Sequence, residues 1–177
     1  IFLIGTGMRI GEVLALTRRD VDPVNGVINV INGKNGVSRY IPVSDSLKKI
    51  LCDYSDTIDM SDEDKPFFTS SYTGGHLTYD AMKYMFPKMF KAADIYKADG
   101  KTPNIHSIRH TFCTRSLEKM LHNGMNIYTA IPLLAAYVGH VNYMDTEKYI
   151  HFTEQGHEDF IKQESSLGSI FPEVTCG

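Results

Sequence analysis

The segment VINVINGKNGVSRYIPV, residues 27–43, carries two β-branched runs on either side of Asn32-Gly33-Lys34-Asn35-Gly36. Gly33 and Gly36 supply positions that accept positive φ, so the segment reads as a β-hairpin. It constrains the fold because the other strongly patterned stretches repeat at helical spacing. Residues 9–17, RIGEVLALT, place apolar side chains at 10, 13, 14 and 16–17. Ser44 or Asp45 can cap a helix over SLKKILCDYSDTI, and PFFTSSYTGG (66–75) reads as a short extended piece and a turn. Thr78 or Asp80 opens a helix to about residue 97, disturbed at Pro87. After the loop ADGKTPN, helical spacing runs from 105 to about 121, over 127–137 and over 143–152, with breaks at HNGMN and GHVN. The expected fold class is mostly α with a small antiparallel β-sheet, an α+β arrangement.

With 177 residues, the chain is long enough for a proper core, and 42% hydrophobic with 22% charged residues is ordinary for a globular protein. No apolar run approaches the roughly 18–20 residues of a membrane helix. Cys52, Cys113 and Cys176 lie far apart without a CxxC, which points to a reducing compartment, hence the cytoplasm, rather than to a disulfide frame. The net charge of −3 does not advertise nucleic-acid binding, but it averages over faces. CDYSDTIDMSDEDK (52–65) holds six acidic residues, whereas KYMFPKMFKAADIYK (83–97) holds four lysines and one aspartate.

In NIHSIRHTFCTR (104–115), His106 and Arg109 share a helix face, with His110 four residues from His106. A cation and an imidazole at a helix N-terminus suit a phosphate. Equally, Arg109 can pair with an acid while His106 caps the helix, and the residues alone leave both readings open. His110, ahead of TFCT, reads as a core histidine. A metal pair His106/His110 is disfavoured, since Ser107 stands where a zinc-protease helix needs glutamate. Arg9 begins another helix with Glu12 one turn on; by themselves the two read as an ordinary surface i, i+3 pair, and near an anion the carboxylate would orient the guanidinium. The Gly5-Thr6-Gly7 turn before it lacks the GxGxxG or lysine–serine pattern of a nucleotide loop. Lys34 sits on the hairpin turn, where it can swing; by itself it reads as a solvated loop lysine. His140 and Tyr149, nine residues apart, close the set.

Taken in chain order, Arg9 in TGMRIGEVLAL, Lys34 before SRYIPV, His106 and Arg109 in HSIRHTFCT, His140 in VGH and Tyr149 resemble the catalytic domain of the tyrosine recombinases, the phage integrase family. The likeness runs from about residue 3 to 153. It implies a catalytic domain over 1–152, lacking a further helix and a separate core-binding domain that usually precede it, and a tail over 153–177 that docks on a neighbouring subunit. It implies DNA strand exchange through a 3′-phosphotyrosyl intermediate, in the integration, excision or transposition of a mobile element. A chromosome-dimer resolvase, a DNA-binding protein that keeps the fold without catalysis, and a metal-dependent phosphohydrolase using His106, His110 and His140 are the alternatives. Under the resemblance Arg9 and Arg109 grip the phosphate, Lys34 protonates the leaving oxygen, and Tyr149 attacks. His106 or His140 assists as base, with His140 hydrogen-bonding the phosphate. Double-stranded DNA, a homotetramer and accessory DNA-bending or directionality factors are the implied partners, with no metal or cofactor.

Overall fold

The computed structural model describes residues 1–31, 33, 36, 38–70 and 73–139. Lys34, His140, Tyr149, the helix expected over 143–152 and the tail over 153–177 lie outside the described residues. The elements are α1 (Phe2–Thr6), α2 (Ile10–Ala15), β1 (Val21–Asp22), β2 (Val27–Val30), β3 (Arg39–Pro42), α3 (Asp45–Ser55), α4 (Tyr79–Ala92), α5 (Ile105–His122) and α6 (Ile127–Val138). Among the described residues the protein is mostly helical with one small antiparallel sheet, as the pattern indicates. That sheet has three strands in the order β1-β2-β3. The hairpin register sets Ile28 opposite Ile41, both fully buried, and β1 adds Val21 opposite Ile28.

The described residues divide into two compact units: residues 1–112 with 137–139, and residues 113–136. In the first, Met8, Val13, Leu16, Val21, Ile28, Val30, Ile41, Leu47, Leu51 and Phe67 form the core. Burial at these positions is the dominant favourable contribution, at about 25 cal/mol per Å² of apolar surface. Phe67 anchors a cluster of rings, meeting Tyr54 and Phe68 edge-on at 5.3 and 5.0 Å. In the second unit, Cys113, Leu117 and Leu121 repeat every four residues on α5, and Ile127, Ala130, Ile131, Leu134 and Ala135 line one side of α6. These are the inward stripes of amphipathic helices.

Two element boundaries differ from the pattern. The helix expected over 9–17 stops at Ala15, because Thr17 donates its N–H and hydroxyl to Asp20 Oδ2 (2.9 and 2.6 Å), which starts a 3₁₀ turn at Arg18. The helix expected to reach residue 97 ends at Ala92. Asp94 turns left-handed (φ 55°), and its N–H and that of Ile95 bond back to Lys91 O and Phe90 O (3.2 and 2.8 Å), a Schellman closure made with aspartate instead of glycine. Pro87, expected to disturb α4, lies inside it without ending it, and Pro132 lies inside α6 in the same way.

Gly7 ends α1 with φ +60°, and a Cβ there would lie 2.2 Å from Cδ1 of Phe112. The Phe112 ring is itself stacked on Tyr137 (5.6 Å, 19°), so moving it disturbs a second contact. Gly7→Ala is therefore expected to cost about 2–5 kcal/mol, from left-handed strain plus overpacking. A urea melt checks this: the midpoint should fall with an unchanged slope.

Candidate active site

Asn104 caps α5, its side-chain oxygen accepting the N–H of Ser107 at 2.8 Å, so His106 does not serve as the cap. His106 and Arg109 lie one turn apart. The imidazole is exposed, while the arginine is only 3% exposed. His110 is exposed as well, correcting its reading as a core residue: the buried face of α5 runs through Arg109, Cys113 and Leu117, and residue 110 is rotated off it. Its ring meets that of His106 edge-on at 4.6 Å. Among the described residues, no group of three or more His, Cys, Asp or Glu is placed to hold a metal ion.

Arg109 is held by main-chain oxygens. Its Nη1 donates to Gly7 O (2.7 Å) and its Nη2 to Val138 O (2.8 Å). Arg9 stands at the cap position of α2 instead of in its first turn, with its backbone N–H donated to Glu12 Oε2 (3.1 Å). The Arg9 guanidinium donates to Glu12 Oε1 and to Gly139 O, both at 3.1 Å. A third arginine, Arg39 on β3, donates from Nε to Tyr137 O at 3.0 Å. The successive carbonyls of Tyr137, Val138 and Gly139 thus each accept from a different arginine. A helix end leaves such carbonyls without internal donors and carries partial negative charge, so cations suit it. Gly139, at φ +68°, closes the helix, and a Cβ there would lie 2.7 Å from Arg39 Nη1. His140 follows directly in the chain, after a segment pinned by all three arginines.

The Glu12 carboxylate joins two of them. Oε1 accepts from Nη1 of both Arg9 and Arg39 (3.1 Å each), and Oε2 accepts from Arg39 Nη2 at 2.9 Å besides the Arg9 backbone. Burial alone would raise its pKa. The Arg39 hydrogen bonds, the Arg9 N–H and the positive charges of both arginines outweigh burial and hold the carboxyl below its usual 4.5. A carboxyl with a depressed folded pKa stabilises the protein above its unfolded value, and that contribution vanishes as pH falls through the folded value. Glu12 is therefore expected to add stability that is complete above about pH 4.5 and is lost below it. Thermal melts across pH 2–6 check this, with Glu12→Gln showing a shallower acid-side loss than the unaltered chain.

Arg9, His106 and Arg109 line one cleft of about 600 Å³ in the first unit, together with Tyr79, Lys83 and Asn104. Two planar guanidiniums, an ammonium and an imidazole around one space suit an anion with several oxygens. Three of the six expected catalytic residues are thus placed around one cleft, with Glu12 bracing Arg9; the other three, Lys34, His140 and Tyr149, lie outside the described residues. Sequence reading missed Arg39 and Lys83. For Arg39 a signal existed: in a strand, residues two apart share a face, and Ile41 is plainly apolar, which sets Arg39 on the inward side where it needs an acid. Lys83 gave only membership of a basic stretch. The Tyr137 hydroxyl donates to Pro42 O (3.1 Å), and burial, partly offset by the charge of Arg39, pushes its pKa up to about 12.

The model of the phage integrase family matches residues 1–155. A putative integrase/recombinase of Sinorhizobium fredii, y4rE, is 36% identical over 151 residues, covering 84% of this chain and 48% of that protein. The crystal structure of XerA recombinase superposes with a TM-score of 0.69 at 27% identity, over 97% of this chain and 55% of that one. The Tn1549 transposon integrase in complex with circular intermediate DNA gives a TM-score of 0.67 at 26% identity, over 92% of this chain and 57% of that one. The chain spans about half the length of these relatives. Since the family model spans most of the sequence, and with it the paired arginines and the histidine between them that line the cleft, this chain belongs to the phage integrase family, the tyrosine recombinases.

Proposed function

We propose that this chain carries the chemistry of a site-specific DNA recombinase, cleaving and rejoining strands through a 3′-phosphotyrosyl intermediate in the integration, excision or transposition of a mobile element. The observation that carries the reading is the convergence of Arg9, His106 and Arg109 on one cleft beside Lys83. Bidentate guanidiniums match the non-bridging oxygens of a phosphodiester and its more highly charged pentavalent transition state, so they act where charge develops. Membership of the family, and a transposon integrase fold-relative in complex with DNA, support duplex DNA as the substrate.

In this mechanism the Tyr149 hydroxyl oxygen attacks phosphorus and the bond from phosphorus to the 5′-oxygen breaks. Tyr149 gives its proton to an imidazole, His106 or His140, and the departing 5′-oxygen takes one from Lys34. His140 also hydrogen-bonds the phosphate. The phosphotyrosyl ester keeps the bond energy, so attack by a new 5′-hydroxyl restores the backbone and releases the tyrosine without a nucleotide cofactor. Assembly as a homotetramer on two DNA sites, with residues 153–177 docking on a neighbour, belongs to the same proposal, as do accessory directionality or DNA-bending factors. The action is cytoplasmic, at the nucleoid; no described helix is long and apolar enough to cross a membrane.

The test begins with duplexes selected for binding from a random library, then nicked so that cleavage releases a short fragment and traps the intermediate. A covalent protein–DNA adduct should accumulate, map by peptide sequencing to residue 149, and persist in EDTA. No adduct on a duplex verified to bind would overturn the enzymatic reading in favour of a non-catalytic DNA-binding protein. An adduct lost in EDTA would argue for metal-dependent chemistry.

A further inference from the structure

We infer that Arg39 is a positioning residue for strand cleavage: by neutralising Glu12, it leaves the charge of Arg9 available to the phosphate. The inference rests on the recombinase reading for its chemistry, but its geometry stands apart from that reading. Arg9 and Glu12 pair at 3.1 Å and carry no net charge between them. Arg39 joins the same carboxylate at 2.9 Å, which makes the triad a net cation. The Arg9 bonds to Glu12 and Gly139 use two of the five N–H donors of a guanidinium.

Placement favours this role over that of a surface salt bridge. The Arg39 and Glu12 side chains are 9% and 7% exposed, whereas Arg9 is 23% exposed and faces the cleft. Arg39 is fixed at a third point, Tyr137 O, and Gly139 lies close enough that even a methyl group would strike its guanidinium. Three hydrogen bonds thus hold Arg39 on Glu12 and on the carbonyl of Tyr137. Removing Arg39 takes two of four hydrogen bonds from a buried carboxylate and leaves Arg9 as its remaining arginine partner. A buried charge that loses one partner draws more strongly on the other. Arg9 would then be spent on Glu12.

The test compares the unaltered chain with Arg39→Gln, Glu12→Gln, the double variant and Arg39→Lys. Adduct formation on the nicked duplex and affinity for that duplex are measured separately, along with binding of orthophosphate by NMR titration. Arg39→Gln should lower the adduct rate on the order of 10²-fold, as for loss of one oxyanion donor, with duplex affinity within about threefold. The double variant, with no carboxylate left to neutralise, should recover at least about tenfold of that loss, a coupling expected only for residues that act on each other. Orthophosphate affinity should fall and recover in the same order. A double variant no better than Arg39→Gln, with urea midpoints showing both folded, would reduce Arg39 to a brace for the fold. Should Arg39→Gln fail to fold, Arg39→Lys decides: it keeps the charge, and orthophosphate binding more than about tenfold weaker than in the unaltered chain would overturn the charge account. If the unaltered chain forms no adduct, the recombinase reading fails, while the orthophosphate series still tests Arg39.

Discussion

Tyr149→Phe is expected to give no covalent protein–DNA adduct where the unaltered chain accumulates one, with duplex affinity within about threefold. The substitution removes one atom, the oxygen that would bond to phosphorus, and keeps the ring. No general acid or base can compensate, because the loss is of the nucleophile itself. A free phenol, with a pKa of about 10, is only about one in a thousand ionised at pH 7, so a tyrosine nucleophile depends on its surroundings. The other nine tyrosines are not equivalent substitutes. Tyr137, for instance, commits its hydroxyl to Pro42 O and has its pKa raised to about 12, the wrong direction for a nucleophile. A denaturing gel of the trapped duplex reads the result. An adduct that survives and maps to Tyr143, six residues earlier, would move the nucleophile off residue 149.

The fold was legible where side-chain period and local turn chemistry agree. The hairpin announced itself through β-branched runs around glycines, and α5 and α6 through apolar stripes. β1 is only two residues long, too short for alternation to show, and exists because Val21 can sit opposite Ile28. The premature ends of α2 and α4 share one cause. In each, an aspartate makes a local arrangement that outcompetes continued helix, Asp20 by accepting from Thr17 and Asp94 by adopting positive φ. Aspartate is common enough in helices that neither event can be read ahead of the tertiary setting.

The site was legible as residue types in order, and only partly as geometry. Arg9, His106 and Arg109 could be named from the motifs, and Glu12 from its spacing to Arg9. The main-chain partners of the arginines could not, because they are the carbonyls of Gly7, Tyr137, Val138 and Gly139, and a carbonyl has no sequence signature. Strand alternation pointed Arg39 inward but could not name its acid, because Glu12 lies 27 residues earlier and already has Arg9 at helical spacing. One carboxylate serving two arginines is a three-dimensional fact. His110 went the other way, misread as buried because the stripe that follows it is buried while its own angular position is not.

Arg109→Ala is expected to lower the adduct rate by 10²–10³-fold, the range for deleting one donor to a developing anion. It should also destabilise the fold, because the carbonyls of Gly7 and Val138 are left buried without their donor, at about 1–3 kcal/mol each. Arg109→Lys should fail almost as badly. The ammonium keeps the charge, but it is a single point on a flexible stem and cannot reproduce the planar fork that reaches both carbonyls at 2.7 and 2.8 Å. Arg9→Ala provides the contrast. Arg9 is more exposed and contributes one main-chain bond from its guanidinium, so its loss should cost rate with much less stability. Adduct kinetics below each variant's urea midpoint separate the two effects. If Arg109→Lys retained both rate and stability, the fork geometry would be irrelevant and charge alone would suffice. If Arg109→Ala lost stability but not rate, Arg109 would hold the two carbonyls together and leave the phosphate to Arg9.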